Sequence, residues 1–105
     1  MKKILIVEDD SKIANLIKLY CVQSGFDVVL AKSVQLAANQ FSTHFPDLII
    51  LDLMLPGSDG EDGISFLKAI RKESSVPVIV VSSRDEEVDR VVCLELGADD
   101  YVTKP

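Results

Sequence analysis

Four consecutive apolar residues, Leu48, Ile49, Ile50 and Leu51, follow Pro46-Asp47, end on a lone carboxylate, Asp52, and are closed by a Pro56-Gly57 turn. A short apolar run between such breakers predicts a strand buried on both faces. Strands of that kind belong to parallel sheets covered by helices. In open parallel sheets, ligands gather just past the carboxyl ends of the strands. Asp52 falls there, and the fold determines which side chains meet it.

The rest of the chain alternates strands and helices. Residues 3–7 are an apolar strand, followed by Glu8-Asp9-Asp10. Asp10 or Ser11 can cap a helix whose apolar positions Ile13, Leu16, Ile17 and Tyr20 recur at helical spacing before Gly25. Residues 27–31 form a second strand. Ser33 caps a helix with inner face Val34, Ala37, Ala38 and Phe41, and residues 47–51 are the third strand. Ile64, Leu67 and Ile70 mark a third helix ending in Arg71-Lys72, cations suited to a helix C-terminus. Residues 76–81, β-branched almost throughout, are strand four. A fourth helix runs from the acidic 84–87 stretch through Val88, Val91 and Val92 to Leu96 and stops at Gly97. Strand five is 99–103. Right-handed crossovers turn this order into an α/β fold, a parallel sheet with helices on both faces.

Composition limits function. The chain has 105 residues, enough for one domain with a real core, and no apolar run approaches the ~20 residues of a membrane span. Glu8-Asp9-Asp10 cuts the opening apolar stretch too soon for a signal peptide, so a cytoplasmic protein is expected. A net charge of −6 disfavours nucleic-acid binding by this domain. Cys21 and Cys93, far apart and without a CxxC, read as reduced packing thiols. His44 reads as a surface residue at a helix end.

The residues just past the strands carry the chemistry: Glu8 and Asp9 after strand one, Asp52 after strand three, Ser82 after strand four and Lys104 after strand five. Three carboxylates in one pocket repel, each pair by about 4 kcal/mol at ~4 Å and an effective dielectric near 20. Either some are protonated or a divalent cation sits among them. Oxygen-only ligands suit Mg²⁺, and no His or Cys stands near to suggest zinc. Lysine and hydroxyl add the charge and the donor that phosphoryl transfer needs. Asp52, alone at the end of the central strand, is the candidate nucleophile for an aspartyl phosphate.

Ile4-Leu5-Ile6-Val7-Glu8-Asp9-Asp10, the run 47–57, Pro77-Val78-Ile79-Val80-Val81-Ser82 and the run from Leu94 through Gly97-Ala98-Asp99-Asp100-Tyr101-Val102-Thr103-Lys104-Pro105 together resemble a response-regulator receiver domain. The last run looks most like receivers joined to winged-helix DNA-binding domains. The resemblance spans the whole chain and implies a flavodoxin-like, doubly wound five-stranded sheet of order 2-1-3-4-5. It implies that Asp52 accepts phosphoryl from a sensor histidine kinase, the chain assisting its own phosphorylation and dephosphorylation without being an enzyme. It implies that Asp9, Asp52 and the Met54 carbonyl ligate Mg²⁺, Glu8 helping. Lys104 would pair with the phosphoryl oxygens. Ser82 and Tyr101 would be the switch residues, Tyr101 turning inward, and the Lys104–Pro105 bond would be cis. The readout would be a homodimer surface on helix four and strand five, charged by residues 84–90 and by Asp99-Asp100. DNA would be reached only through an output domain outside these residues.

Two features depart from that pattern. The loop after strand three, with Asp59-Gly60 and then Glu61-Asp62-Gly63 before Ile64, looks about three residues long in excess. It lacks the register of a calcium loop. The family's fifth helix is also missing, so residues 1–105 read as a receiver truncated after strand five, with apolar sheet left open and self-association expected. Rival readings fit less well. A flavodoxin wants a hydroxyl-rich phosphate cradle where three acids stand. A haloacid-dehalogenase-like phosphatase wants an acid where Met54 stands. A non-phosphorylated interaction module would keep the fold and lose the site.

Overall fold

A computed structural model describes residues 2–53, 63–82 and 87–103. The elements are β1 (Lys3–Val7), α1 (Ser11–Gln23), β2 (Asp27–Ala31), α2 (Val34–His44), β3 (Leu48–Asp52), α3 (Gly63–Glu73), β4 (Val78–Ser82), α4 (Glu87–Glu95) and β5 (Asp100–Thr103). All strands pair in parallel, in the order β2-β1-β3-β4-β5, the order that the family resemblance implies. Asp52 and Ser82 are the last residues of their strands rather than the first beyond them, so both are held by the ladder.

Side chains alternate across a pleated strand. One face of the sheet carries Leu5, Val7, Ile49, Leu51, Val78, Val80 and Tyr101, and these form the main core with Val34, Ala37, Phe66, Leu67, Ile70 and Cys93 from α2, α3 and α4. Each large side chain buried there contributes about 1.5–3 kcal/mol relative to exposure. On the other face Ile4 and Ile6 are buried, as is Ala14 of α1. Farther along that face Ile50, Ile79 and Val81 are half-buried, and Val102 is exposed.

Helices α1 and α2 bury different residues from those expected. In α1, Ile13 and Ile17 are half-buried, but Leu16 and Tyr20 are 54% and 64% exposed, and the fully buried position is Ala14. The reason is a narrow contact: a small side chain lets the helix approach the sheet closely. In α4, Val91 and Val92 face solvent while Cys93 is fully buried. Ala38 of α2 is likewise exposed, with Val34 and Ala37 facing the core. His44 lies in the last turn of α2, half-buried. Both cysteines are free, as expected, but Cys21 is only half-buried. No described helix is long and apolar enough to cross a membrane.

Candidate functional site

The site begins with a clamp at the far end of the sheet. The Asp47 carboxylate accepts from the Lys3 amide at 2.8 Å, and the Asp47 amide donates to the Lys3 carbonyl at 2.8 Å. This reciprocal pair joins the starts of β1 and β3. It fixes the register that sets Ile4 beside Leu48 and Val7 beside Leu51. One step on, Glu8 is carried level with Asp52. From the sequence Asp47 is no more than a strand residue, because its partner lies forty-four positions away.

At the rim, the Glu8 amide continues the ladder to Ala31 O at 3.0 Å, so β1 holds its shape one residue past Val7. The Glu8 carboxylate accepts from the Asp10 amide at 3.3 Å. Asp10 turns away to cap α1, accepting from the Lys12 and Ile13 amides at 2.9 and 3.3 Å. Such a cap contributes about 1 kcal/mol and removes Asp10 from the site. Glu8, Asp9 and Asp52 remain, each with a carboxylate oxygen within 4.8 Å of the other two. Glu8 and Asp52 are buried, each 4% exposed, and Asp9 faces solvent.

Two buried carboxylates and one exposed one are a costly arrangement without a counter-charge. The donors are all hard oxygens, converging from two strands and open on the Asp9 side. That donor set fits a small divalent cation of the Mg²⁺ type, which takes one or two carboxylates and keeps its waters.

Ser82, fully buried, ends β4 opposite Thr103 and one residue beyond Val81, which stands beside Asp52. Tyr101 pairs with Val80 on the same side of the sheet as Ser82, and its ring lies in the main core at 3% exposure. Met54, Lys104, the Lys104–Pro105 bond and the loop through Asp62 lie outside the described residues, as does Arg84. Gly63, grouped with the surplus loop residues in the sequence, opens α3. A cavity of about 250 Å³ between α2 and α3, lined by Val34, Phe41 and Phe66 among others, contains none of the carboxylates.

Comparison with known proteins bears on this arrangement. Residues 4–105 match the family model for the response regulator receiver domain. The sensory transduction protein RegX3 of Mycobacterium tuberculosis is 46% identical over 105 residues, all of this chain and 45% of that protein. The phosphate regulon transcriptional regulatory protein PhoB of Escherichia coli is 45% identical over 107 residues, covering 99% of this chain and 45% of that protein. The chain thus spans just under half the length of these curated relatives. Among solved structures, a Francisella response regulator receiver domain superposes with a TM-score of 0.91 at 38% identity, covering 100% of this chain and 85% of that one.

Proposed function

The chain belongs to the response regulator receiver family, and on that premise we propose that Asp52 is its phosphoacceptor and that phosphorylation switches a partner surface. The observation that carries the reading is the gathering of Glu8, Asp9 and Asp52 within 4.8 Å at the ends of β1 and β3.

In the proposed step, an Asp52 carboxylate oxygen attacks the phosphorus of a phosphohistidine on a sensor kinase. A P–O bond forms as the N–P bond breaks, and the electron pair returns to the imidazole. In the reverse traffic, water attacks the same phosphorus, releasing inorganic phosphate and restoring the carboxylate. Burial of Asp52 at a strand end fixes the attacking oxygen and limits competing water. Mg²⁺, held by Glu8, Asp9, Asp52 and the Met54 carbonyl, would neutralise charge on the phosphoryl oxygens. Lys104 and the Ser82 hydroxyl would contact those oxygens.

The switch is a population shift. Ser82 and Tyr101 flank one side of β4 and β5, so a bond from Ser82 to a phosphoryl oxygen favours one arrangement of that corner. Moving an equilibrium from 1:99 to 99:1 needs about 5.5 kcal/mol, within reach of several charge-assisted contacts. The surface that changes is α4 with β5, where a second copy would pair. Because the relatives named above include a transcriptional regulator about twice as long, the output is control of transcription through a DNA-binding domain outside these residues.

The test is incubation with Mg²⁺ and acetyl phosphate, followed by intact-mass measurement. The reading expects a gain of one phosphoryl group that is lost in Asp52→Ala. No gain in the unaltered chain would leave a receiver-like interaction module instead.

A further inference from the structure

Val91, Val92 and Leu94 of α4 point to solvent. Cys93 enters the main core. One turn earlier, the Arg90 guanidinium carbon stands 5.6 Å from the centroid of the Tyr101 ring, over its face. A guanidinium at that distance is attracted by the ring quadrupole, more strongly where water is excluded. Arg90 is half-buried and Tyr101 nearly fully so, which places the pair in the favourable regime.

The position of the ring gives this stack a consequence. Tyr101 pairs with Val80, and Ser82 lies two residues farther along the same strand on the same face. The ring therefore sits between α4 and the strand end that carries the hydroxyl. It cannot swing to the surface without leaving the guanidinium. Nor can α4 slide along β5 without dragging the charge off the ring.

We propose that Arg90 is a positioning residue of the switch: its guanidinium holds Tyr101 buried against β5 and thereby sets how readily Asp52 takes up a phosphoryl group. The coupling rests on the phosphoacceptor reading given above, in which an inward Tyr101 accompanies the phosphorylated state. Linkage makes the effect reciprocal: whatever holds the ring inward favours the phosphoryl group by the same factor. Arg90 is not among the clustered carboxylates, so its influence on them within one chain passes through the ring.

The chain has two tyrosines and no tryptophan. Tyr20 is exposed on α1, away from the site, so Tyr20→Phe leaves Tyr101 as the sole reporter. In that background the native arginine, Arg90→Met, Arg90→Gln and Arg90→Lys are compared by acrylamide quenching of tyrosine fluorescence and by the equilibrium affinity for beryllofluoride, a phosphoryl mimic, at saturating Mg²⁺. Met keeps the apolar stem and removes the charge; Gln is the second uncharged variant should Met prevent folding. The expected result is greater quenching in the uncharged variants and an affinity for the mimic lowered about two- to five-fold, with Arg90→Lys restoring much of both. Unchanged quenching in the uncharged variants overturns the proposal. So does a Lys variant as exposed as Met, since packing rather than charge would then hold the ring. If the protein with Arg90 intact takes up no phosphoryl group, the phosphoacceptor reading fails and the coupling with it, while quenching still decides whether Arg90 holds Tyr101.

Discussion

Gly63 stands directly against the backbone of Asp52. A Cβ at Gly63 would lie 2.9 Å from the Asp52 carbonyl oxygen and 2.9 Å from both Cα and O of Leu53. Contacts that short to backbone cannot be relieved by turning a side chain. The first turn of α3 is thus pressed onto the end of the strand that carries the proposed phosphoacceptor, and only glycine permits it.

Gly63→Ala should therefore displace α3 from β3. Overpacking of this kind costs typically 1–3 kcal/mol. The expected outcome is a lower thermal midpoint by far-UV circular dichroism. Phosphoryl uptake by Asp52 should be slower even at temperatures where the variant is fully folded. A Gly63→Ala protein with unchanged midpoint and uptake would mean that the strand end tolerates movement the packing forbids.

The three carboxylates make a second expectation. With no counter-ion they repel, so removing one charge should stabilise the metal-free fold. Asp9 is the safest to change, being exposed and not part of a strand. Its exposure also screens the effect, so the gain from Asp9→Asn is placed at about 1 kcal/mol at low salt, or roughly 4–8 °C for a chain of this size. Mg²⁺ should raise the midpoint of the unaltered protein, a chelator should reverse the rise, and Asp9→Asn should gain less from the ion. Differential scanning calorimetry with and without Mg²⁺ reads all three.

The thiols differ in a way that labelling can follow. Burial pushes the Cys21 thiol above its ordinary pKa, because desolvation disfavours the thiolate. A pKa raised on folding contributes stability at pH below the unfolded value, and that contribution is lost as pH rises through the folded value. Alkylation of Cys21 in the native protein should be slower than in the unfolded chain at the same mildly alkaline pH. Cys93, fully buried in the main core, should label only as the protein unfolds. Mass spectrometry after a timed iodoacetamide pulse separates the two.

These expectations mark where the sequence was readable. The apolar run ending at Asp52 and the β-branched stretch before Ser82 announce themselves locally, since a strand buried on both faces has to be apolar throughout. Right-handed crossovers then make the sheet parallel, while the order that brings Glu8, Asp9 and Asp52 together was implied by the family resemblance. What stayed hidden depends on partners distant in the chain. Asp47 looks like any acid before a strand until Lys3 is beside it. The buried position of α4 is not legible because its valines outnumber the single cysteine that enters the core, and periodicity weighs apolar character rather than fit. Arg90 looks like one more charge on a solvated helix until Tyr101 lies beneath it.

The last case is a clasp on the opposite end of the sheet from the carboxylates. Arg71, at the end of α3, donates from Nε to Gly97 O at 2.8 Å, from one terminal nitrogen to Ser74 O at 3.2 Å and from the other to Asp99 Oδ2 at 3.1 Å. The same Asp99 oxygen accepts the Val78 amide at 2.8 Å, so α3, β4 and the turn into β5 are tied at one point. Asp99 is more than half exposed, which leaves the ion pair itself weak; the bonds to backbone carbonyls matter more. Arg71→Ala should cost about 1–2 kcal/mol, seen as a lower urea midpoint with unchanged slope. Arg71→Lys should recover little of it, because an ammonium cannot reach the three acceptors in one plane. Gly97, with φ at +111° and a Cβ position 2.8 Å from Arg71 Nε, should tolerate alanine no better than Arg71 does. In all three variants, phosphoryl uptake by the folded protein should remain, since none touches the carboxylate rim. Loss of uptake at full folding would show that β4 transmits strain along its whole length to Ser82, and that the two ends of the sheet are not independent.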